Sequence, residues 1–86
     1  VDARTAEDYE KSHIPNAINL YPYEDEGVLM PKLISLPRDK TIVVYCDGGT
    51  CDLSHELAKM LTSGLGFTKV FLYENGWEEW SRKFRN

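Results

Sequence analysis

The sequence has only two cysteines among its 86 residues, Cys46 and Cys51. One possible pair of thiols is too few for the disulfide framework that is typical of small secreted domains. All apolar runs fall short of the roughly 20 residues of a membrane-spanning helix, so we expect no membrane insertion. Basic residues are also scarce, because 10 Lys and Arg stand against 14 Asp and Glu, for a net charge of −4. This acidic balance argues against nucleic acid as a partner.

Size and composition indicate one small globular domain, residues 1–86. The residues are 42 % hydrophobic and 28 % charged, which is typical of ordinary globular chains and not of disordered ones. The sequence begins with Val1 and not with Met, Val1 and Asp2 look like the end of a strand, and no secretory signal is visible. We therefore expect a domain that is part of a longer chain, with the cytoplasm as the default location.

The first half of the sequence carries one clear helix signal. Thr5 followed by Asp8 resembles a capping box, which predicts a short helix that ends near Lys11. The apolar stretch Ala17–Leu20 predicts a short buried strand. The segment 21–40 is rich in turn residues, and its apolar second half predicts a short helix broken by proline.

The second half alternates buried strands with amphipathic helices. The apolar runs Thr41–Tyr45 and Val70–Tyr73 are typical of central parallel strands that are buried on both faces. An apolar stripe predicts a helix over residues 52–61. A final helix carries an aromatic face that we expect to lie in the core: Trp77, Trp80 and Phe84. This alternation predicts an α/β fold with a parallel sheet.

Cys46 stands at the end of a predicted strand, directly before a glycine-rich loop and a helix. We call residues 47–52 the Cys46 loop. Gly48 and Gly49 lack a Cβ atom, so their backbone N–H groups can turn inward and bind an anion. The helix that follows adds free N–H groups and the positive end of its dipole. Because a thiol is nucleophilic only as a thiolate, this setting predicts that Cys46 is a nucleophile for sulfur or phosphate chemistry and not merely a buried cysteine.

Two carboxylates oppose this stabilisation. Asp47 and Asp52 flank the loop and repel a thiolate or an anionic substrate, although Asp52 is expected to serve partly as the N-cap of the helix. No Arg or Lys lies between Cys46 and Lys59. The sequence therefore predicts that the loop stabilises negative charge through its backbone alone, or that it does so only weakly.

The other candidate groups are more simply explained by structural roles. His13 precedes Ile-Pro and is expected to be hydrogen-bonded in a turn, while His55 is expected at the surface. Asp2 and Arg4 are expected to form an ion pair that braces the end of the sheet. A zinc site made from both cysteines and a histidine lacks the spacing of ligand pairs, so we expect no metal.

Two parts of the sequence resemble the signatures of rhodanese-like domains. The first part is Asp2-Ala-Arg4 with Tyr9, His13-Ile-Pro-Asn-Ala17 and Asn19-Leu20. The second part is Val43-Val-Tyr-Cys46 with the loop and helix that follow, Gly66-Phe67, and Val70-Phe-Leu-Tyr-Glu-Asn-Gly-Trp77 with Trp80. Together they cover most of the chain, apart from residues 21–40.

The resemblance implies a three-layer α/β domain with a five-stranded parallel sheet, whose first strand and helix are missing from this sequence. It implies that Cys46 accepts sulfane sulfur as a persulfide and passes it to a thiol. The partners are then a small sulfur donor and a thiol acceptor, either a small molecule or a protein, and no cofactor is expected. The backbone N–H groups implied to bind the donor are those of Asp47, Gly48, Gly49, Thr50, Cys51 and Asp52.

Two positions of the loop depart from the family pattern. Single-domain rhodaneses often have a basic residue directly after the cysteine and Arg at the position of Cys51, whereas this sequence has Asp47 and Cys51. We therefore expect a sulfur donor other than thiosulfate, which is a dianion. Cys51 is a candidate resolving thiol that attacks the Cys46 persulfide, releases hydrosulfide and leaves a disulfide, if the two residues are close enough. It can equally accept or protect the sulfur.

Two other functions stay open on the sequence. One is a non-catalytic regulatory or binding module of a larger protein, against which the presence of Cys46 argues. The other is a cysteine phosphatase. The length and sequence of the Cys46 loop argue against this function, because the related phosphatases have a loop that is one residue longer and ends in Arg.

Overall fold

The computed structural model of the protein describes residues 1–48 and 51–84. Helices and parallel strands alternate along this part of the chain, which confirms the predicted α/β class. In chain order the elements are α1 (Ala6–Lys11), α2 (Glu26–Ile34), β1 (Ile42–Tyr45), α3 (Leu53–Lys59), a π-helical turn (Met60–Gly64), β2 (Val70–Tyr73) and α4 (Gly76–Phe84). Among these residues, no helix is long and apolar enough to cross a membrane.

The sheet is parallel throughout. β1 and β2 pair along their full length, and Asp2 extends the sheet through single parallel bridges to Tyr45 and to Asn19. Asp2 therefore lies in the sheet, as the sequence predicts. The predicted strand at Ala17–Leu20 is reduced to the bridge at Asn19, because the chain has only just left a turn at Asn16, where φ is +69°.

The hydrophobic core lies on one face of the sheet. Its largest fully buried side chains are apolar: Leu20, Leu29, Leu33, Val44, Leu57 and Leu61. Val43 and its neighbour Phe71 in β2 point to the opposite face and are exposed. The prediction that both strands are buried on both faces is therefore wrong. Successive strand residues point to opposite faces, and the helices that pack on Val44 cover only one of them.

Side chains cap the N-terminal ends of α1 and α2. The backbone N–H of Asp8 donates to the hydroxyl of Thr5 at 3.3 Å, which confirms the predicted cap of α1. In α2, the N–H of Gly27 donates to the carboxylate of Asp25 at 2.8 Å. The helix predicted in this segment therefore exists, but the prediction that proline breaks it is wrong, because Pro31 lies in its interior.

α3 begins directly after the Cys46 loop, but without a side-chain cap. Asp52 has helical φ and ψ of −96° and −5°, and within the described chain its carboxylate makes no capping hydrogen bond. The prediction that Asp52 caps α3 is therefore wrong. An N-cap normally has extended backbone geometry, and the helical geometry of Asp52 turns its side chain away from the free N–H groups.

The aromatic face of α4 lies at the surface and not in the core, contrary to the prediction. Trp77 and Trp80 are half-buried and Phe84 is exposed. Their rings line an open groove of about 350 Å³ together with His13 and Pro15. The helix is therefore amphipathic, but its aromatic side lines a groove at the surface and does not join the hydrophobic core.

Candidate active site around Cys46

Cys46 lies immediately after the last residue of β1, at the carboxyl end of the strand, and only 2 % of it is exposed. Its thiol is free. The Sγ atom lies 3.4 Å from the carbonyl oxygen of Cys51 and 3.4 Å from the hydroxyl oxygen of Ser54 in the first turn of α3. Strand β1 and helix α3 thus bring a buried thiol, a hydroxyl and the second cysteine together, in a position where parallel sheets commonly bind ligands.

The surroundings of Cys46 favour its thiolate. Burial raises the pKa of Cys46, but hydrogen bonds from the Cys51 thiol and the Ser54 hydroxyl lower it. The backbone N–H groups of Ser54 and Gly48 act in the same direction, and the pKa of Cys46 falls below its ordinary value. The pKa of Cys51 moves the opposite way, because Cys51 is itself buried and donates its proton toward Cys46. The two opposite pKa shifts therefore favour ionisation of Cys46 over ionisation of Cys51.

Several backbone N–H groups in and next to the Cys46 loop already have partners within the protein. The backbone N–H of Cys51 donates to the carbonyl oxygen of Gly48 at 3.1 Å, so this N–H is engaged within the loop. Gly48 makes the turn possible with a φ of +116°, a value that residues with a Cβ atom rarely adopt. The N–H groups of Asp47 and Leu53 are directed at the sulfur of Cys51.

The remaining loop residues are charged and exposed, or outside the described part of the chain. Asp47 and Asp52 are both exposed, on either side of the loop. Gly49 and Thr50, whose N–H groups the sequence assigns to donor binding, lie outside the described residues. The structure thus brings Cys46, Gly48 and Cys51 together and leaves the two carboxylates at the rim.

A second backbone segment supports Cys46 from behind. The first N–H groups of α4 donate to the end of β1, from Trp77 to the Cys46 carbonyl oxygen and from Glu78 to the Asp47 carbonyl oxygen, both at 2.8 Å. Gly76 has a φ of +52°, and a Cβ atom there would overlap the carbonyl oxygen of Cys46. Sequence reasoning treats Gly76 only as a turn residue. The close approach requires a glycine, and only the fold reveals which residue it touches.

Arg4 connects the sheet to the Cys46 loop. Its guanidinium pairs with the buried Asp2 at 2.8 Å, which confirms the predicted ion pair. The Nη1 atom of Arg4 also lies 3.5 Å from Oδ1 of Asp47. The Arg4 side chain is only 4 % exposed and lies over the ring of Trp77, 5.0 Å from the ring centre. A buried cation therefore stands beside the loop, although the local sequence of the loop contains none.

The two histidines lie apart from the thiols. His13 stacks on Tyr9 with ring centres 3.8 Å apart, and its Nδ1 lies 2.8 Å from the Tyr9 carbonyl oxygen, in agreement with the expected structural role. His55 is at the surface, as expected, 3.7 Å from Glu74. Within residues 1–48 and 51–84, no group of three or more His, Cys, Asp or Glu side chains converges as metal ligands do.

The sequence matches known proteins over nearly its whole length. A family described as "Rhodanese-like domain" matches residues 1–83. A tRNA uridine(34) hydroxylase from Citrobacter koseri is 35 % identical over 88 residues, which cover 99 % of this chain and 24 % of the relative. Proteins of the same name from Cronobacter sakazakii and from Escherichia coli O6:K15:H31 are each 34 % identical, and 24 % of each is covered.

These similarities agree with the geometry of the site. The chain spans about a quarter of the length of the curated relatives that it matches. The match to the family runs from the strand residue Asp2, through the Cys46 loop, to α4. The chain therefore belongs to the family of rhodanese-like domains.

Proposed function

We propose that this domain is a sulfurtransferase that carries sulfane sulfur as a persulfide on Cys46. The observation that supports this most directly is the position of Cys46, whose buried thiol follows the end of β1 and lies 3.4 Å from the Ser54 hydroxyl oxygen. Hydrogen bonds involving Cys51, Ser54 and Gly48 lower the pKa of Cys46 against the effect of burial, which favours the thiolate, the form that attacks an electrophilic sulfur. Membership of the rhodanese-like family supports the same function.

In the first step, the Cys46 thiolate attacks the outer sulfur of a donor persulfide. A sulfur–sulfur bond forms on Cys46, the sulfur–sulfur bond of the donor breaks, and the rest of the donor leaves as a thiolate. No electron is gained or lost overall, so neither an oxidant nor a cofactor is needed. The Ser54 hydroxyl and the N–H of Gly48, which stabilise the Cys46 thiolate, are in place to stabilise the sulfur chain that replaces it.

In the second step, a thiol acceptor takes the outer sulfur and regenerates the Cys46 thiolate. Cys51 is a thiol that lies next to Cys46, since its carbonyl oxygen is 3.4 Å from the Cys46 sulfur. If Cys51 attacks the inner sulfur of the persulfide instead, hydrosulfide leaves and a Cys46–Cys51 disulfide forms. This makes Cys51 the candidate resolving thiol, and its contact with Cys46 supports that role.

Mass spectrometry of the full-length protein tests this function. After incubation with glutathione persulfide, we expect the peptide with Cys46 to gain the mass of one sulfur atom. The variant Cys46→Ser should gain none, and Cys51→Ser should keep its persulfide longer if Cys51 resolves it. Absence of added sulfur on Cys46 with every donor would support the alternative of a non-catalytic module. An unchanged persulfide lifetime in Cys51→Ser would remove the resolving role.

A second candidate function comes from the relatives. Proteins named tRNA uridine(34) hydroxylase share 34–35 % identity with this chain over nearly all of its residues. The domain would then supply the Cys46 thiolate to a longer enzyme that modifies uridine in tRNA. The net charge of −4 indicates that tRNA would be bound mainly by other parts of such an enzyme.

The two functions predict different phenotypes for Cys46→Ser in cells. If the second function is right, the hydroxylated form of uridine 34 should disappear from tRNA, as measured by mass spectrometry of nucleosides. If the modification persists while the persulfide is lost, the protein acts as a sulfurtransferase outside that reaction.

A further inference from the structure

The guanidinium of Arg4 is the cation that the structure places against the Cys46 loop, and its donors are already occupied. The Nε and Nη2 atoms donate to the carboxylate of Asp2 at 2.8–3.1 Å, and Nη2 also donates to the carbonyl oxygen of Ser12. The remaining nitrogen, Nη1, faces Asp47 at 3.5 Å. An anionic substrate that approaches the loop therefore meets the carboxylate of Asp47 before it can reach Arg4.

The charge at the rim of the site is negative. The side chain of Asp47 is 60 % exposed, next to Cys46 in the chain. Glu78 lies beside Gly48 and is exposed, with Arg82 3.7 Å from its carboxylate. The exposed Glu74 lies on the same turn as Asn75, which touches Gly48. Together these groups give a small anion no net electrostatic attraction toward the thiolate.

We propose that Asp47 is a specificity-determining residue, which masks Arg4 and selects sulfur donors of low charge over dianions such as thiosulfate. This proposal rests on the proposed sulfurtransferase function and names its class of donor. Asp47 acts in two ways: its carboxylate repels a dianion directly, and it occupies the Arg4 nitrogen that would otherwise attract one. The repulsion grows with the charge of the donor, so dianions are rejected more strongly than monoanions.

Two donors that differ by one charge provide the test. Thiosulfate is a dianion and methanethiosulfonate is a monoanion, and each delivers its terminal sulfur by the same substitution. The Cys46 thiolate attacks that sulfur, the sulfur–sulfur bond of the donor breaks, and sulfite or methanesulfinate leaves with the electron pair. The rate constant for loading Cys46 is measured by mass spectrometry in the full-length protein, for each donor.

The variant Asp47→Asn should raise the loading rate with thiosulfate about tenfold, the factor that corresponds to about 1.4 kcal/mol. The rate with methanethiosulfonate should rise about threefold, because its single charge feels about half of the repulsion. Asp39→Asn is the matched control, since it removes the same charge at the amino end of β1, opposite to Cys46. Added salt should speed the reaction of the unaltered protein with thiosulfate and leave Asp47→Asn less affected.

The outcomes separate this proposal from the function on which it rests. If methanethiosulfonate loads Cys46 but Asp47→Asn leaves the ratio of the two rates unchanged, the role of Asp47 is wrong and the sulfurtransferase function stands. If Asp39→Asn has the same effect as Asp47→Asn, only the net charge matters and the proposal is again wrong. If neither these donors nor glutathione persulfide load Cys46, both the proposal and the function fail.

Discussion

The two sides of Cys46 are built in different ways. Behind it, the start of α4 holds the end of β1 by main-chain hydrogen bonds from Trp77 and Glu78, and Gly76 allows contact without space for a side chain. In front of it, the Ser54 hydroxyl oxygen and the Cys51 carbonyl oxygen each lie 3.4 Å from its sulfur, and hydrogen bonding by both residues lowers the pKa of Cys46. The back of the site thus positions Cys46, and the front tunes its ionisation.

This difference predicts how each side responds to substitution. The main-chain contacts between the start of α4 and the end of β1 leave no space for additional atoms. Substitutions there should therefore lower the free energy of unfolding. Side-chain contacts at the front are few and replaceable, so changes there should alter reactivity while the fold persists. The variants below test that separation, from the largest expected effect to the smallest.

Gly76→Ala should have the largest effect, on stability. The new methyl group would overlap the Cys46 carbonyl oxygen, and φ at this position is +52°. We expect the free energy of unfolding to fall by more than about 2 kcal/mol, since strained backbone and steric overlap add together. Urea denaturation followed by circular dichroism measures this loss.

Gly64→Ala is the matched control for that variant. A Cβ atom at Gly64 meets nothing within 4 Å, and its φ is not in the left-handed region. Because alanine loses less backbone entropy than glycine in a helical turn, we expect a gain of about 0.5–1 kcal/mol. Equal losses in both variants would show that the back of the site is no more constrained than an exposed turn.

Cys51→Ala should change the pH dependence of Cys46 while the protein stays folded. Cys51 is the first donor that lowers the pKa of Cys46 against burial, and alanine removes this donor, so the pKa of Cys46 should rise. The rate of alkylation of Cys46 by iodoacetamide, measured against pH, should rise at higher pH than in the unaltered protein. An unchanged or lower midpoint would contradict the role of Cys51 as a donor.

The lowered pKa of Cys46 also makes the free energy of unfolding depend on pH. Since the pKa of Cys46 is lowered in the folded state, its thiolate stabilises the fold at pH values above the pKa of the unfolded chain. That contribution is lost as the pH falls through the lowered value of the folded state. The pKa of Cys51 is raised, so its contribution has the opposite sign and is lost as the pH rises.

Ser54→Ala should slow the alkylation of Cys46 by a smaller factor. The variant removes the Ser54 hydroxyl, whose oxygen lies 3.4 Å from the Cys46 sulfur and which lowers the pKa of Cys46, and it leaves Cys51 in place. We expect about a fivefold decrease at neutral pH, the factor that corresponds to roughly 1 kcal/mol for one hydrogen bond. Ser35→Ala, which removes an exposed hydroxyl directly after the last residue of α2, should leave the rate unchanged.

Asp52→Ala should have the smallest effect. The carboxylate of Asp52 makes no capping bond to α3 within the described residues, so we expect a change of less than about 0.5 kcal/mol in unfolding free energy. Thr5→Ala, which removes a side-chain cap from α1, should cost about 1 kcal/mol. Thermal unfolding compares the two variants. A larger loss of stability in Asp52→Ala than in Thr5→Ala would mean that the Asp52 side chain stabilises the Cys46 loop.

Several features of the fold can be predicted from residues that are neighbours in the sequence. The cap at Thr5, the apolar run of β1, and the thiol placed between a strand and a glycine turn depend on neighbouring residues alone, so they can be read along the chain. The order and spacing of these elements are also enough to place the chain in its family. Local propensity and hydrophobic period determine such features before any long-range contact forms.

Other features were decided only by tertiary structure. Ser54 gave no sequence signal beyond its place in the first turn of a predicted helix, yet it contacts the Cys46 sulfur. Continuous apolar runs predicted two strands buried on both faces, but Val43 is exposed because the helices cover one face of the sheet. Apolar patterns show which side chains can be buried, while packing decides which of them are.

The sequence by itself determined that a thiol ends a strand before a glycine-rich loop. It did not determine the charge around that thiol, since Arg4 is distant in the chain and reaches Asp47 only across the folded sheet. It also did not determine why Gly76 is needed, since that glycine meets Cys46 through space. Electrostatics and steric contact act through distance in space and not along the chain, so only the tertiary structure decided them.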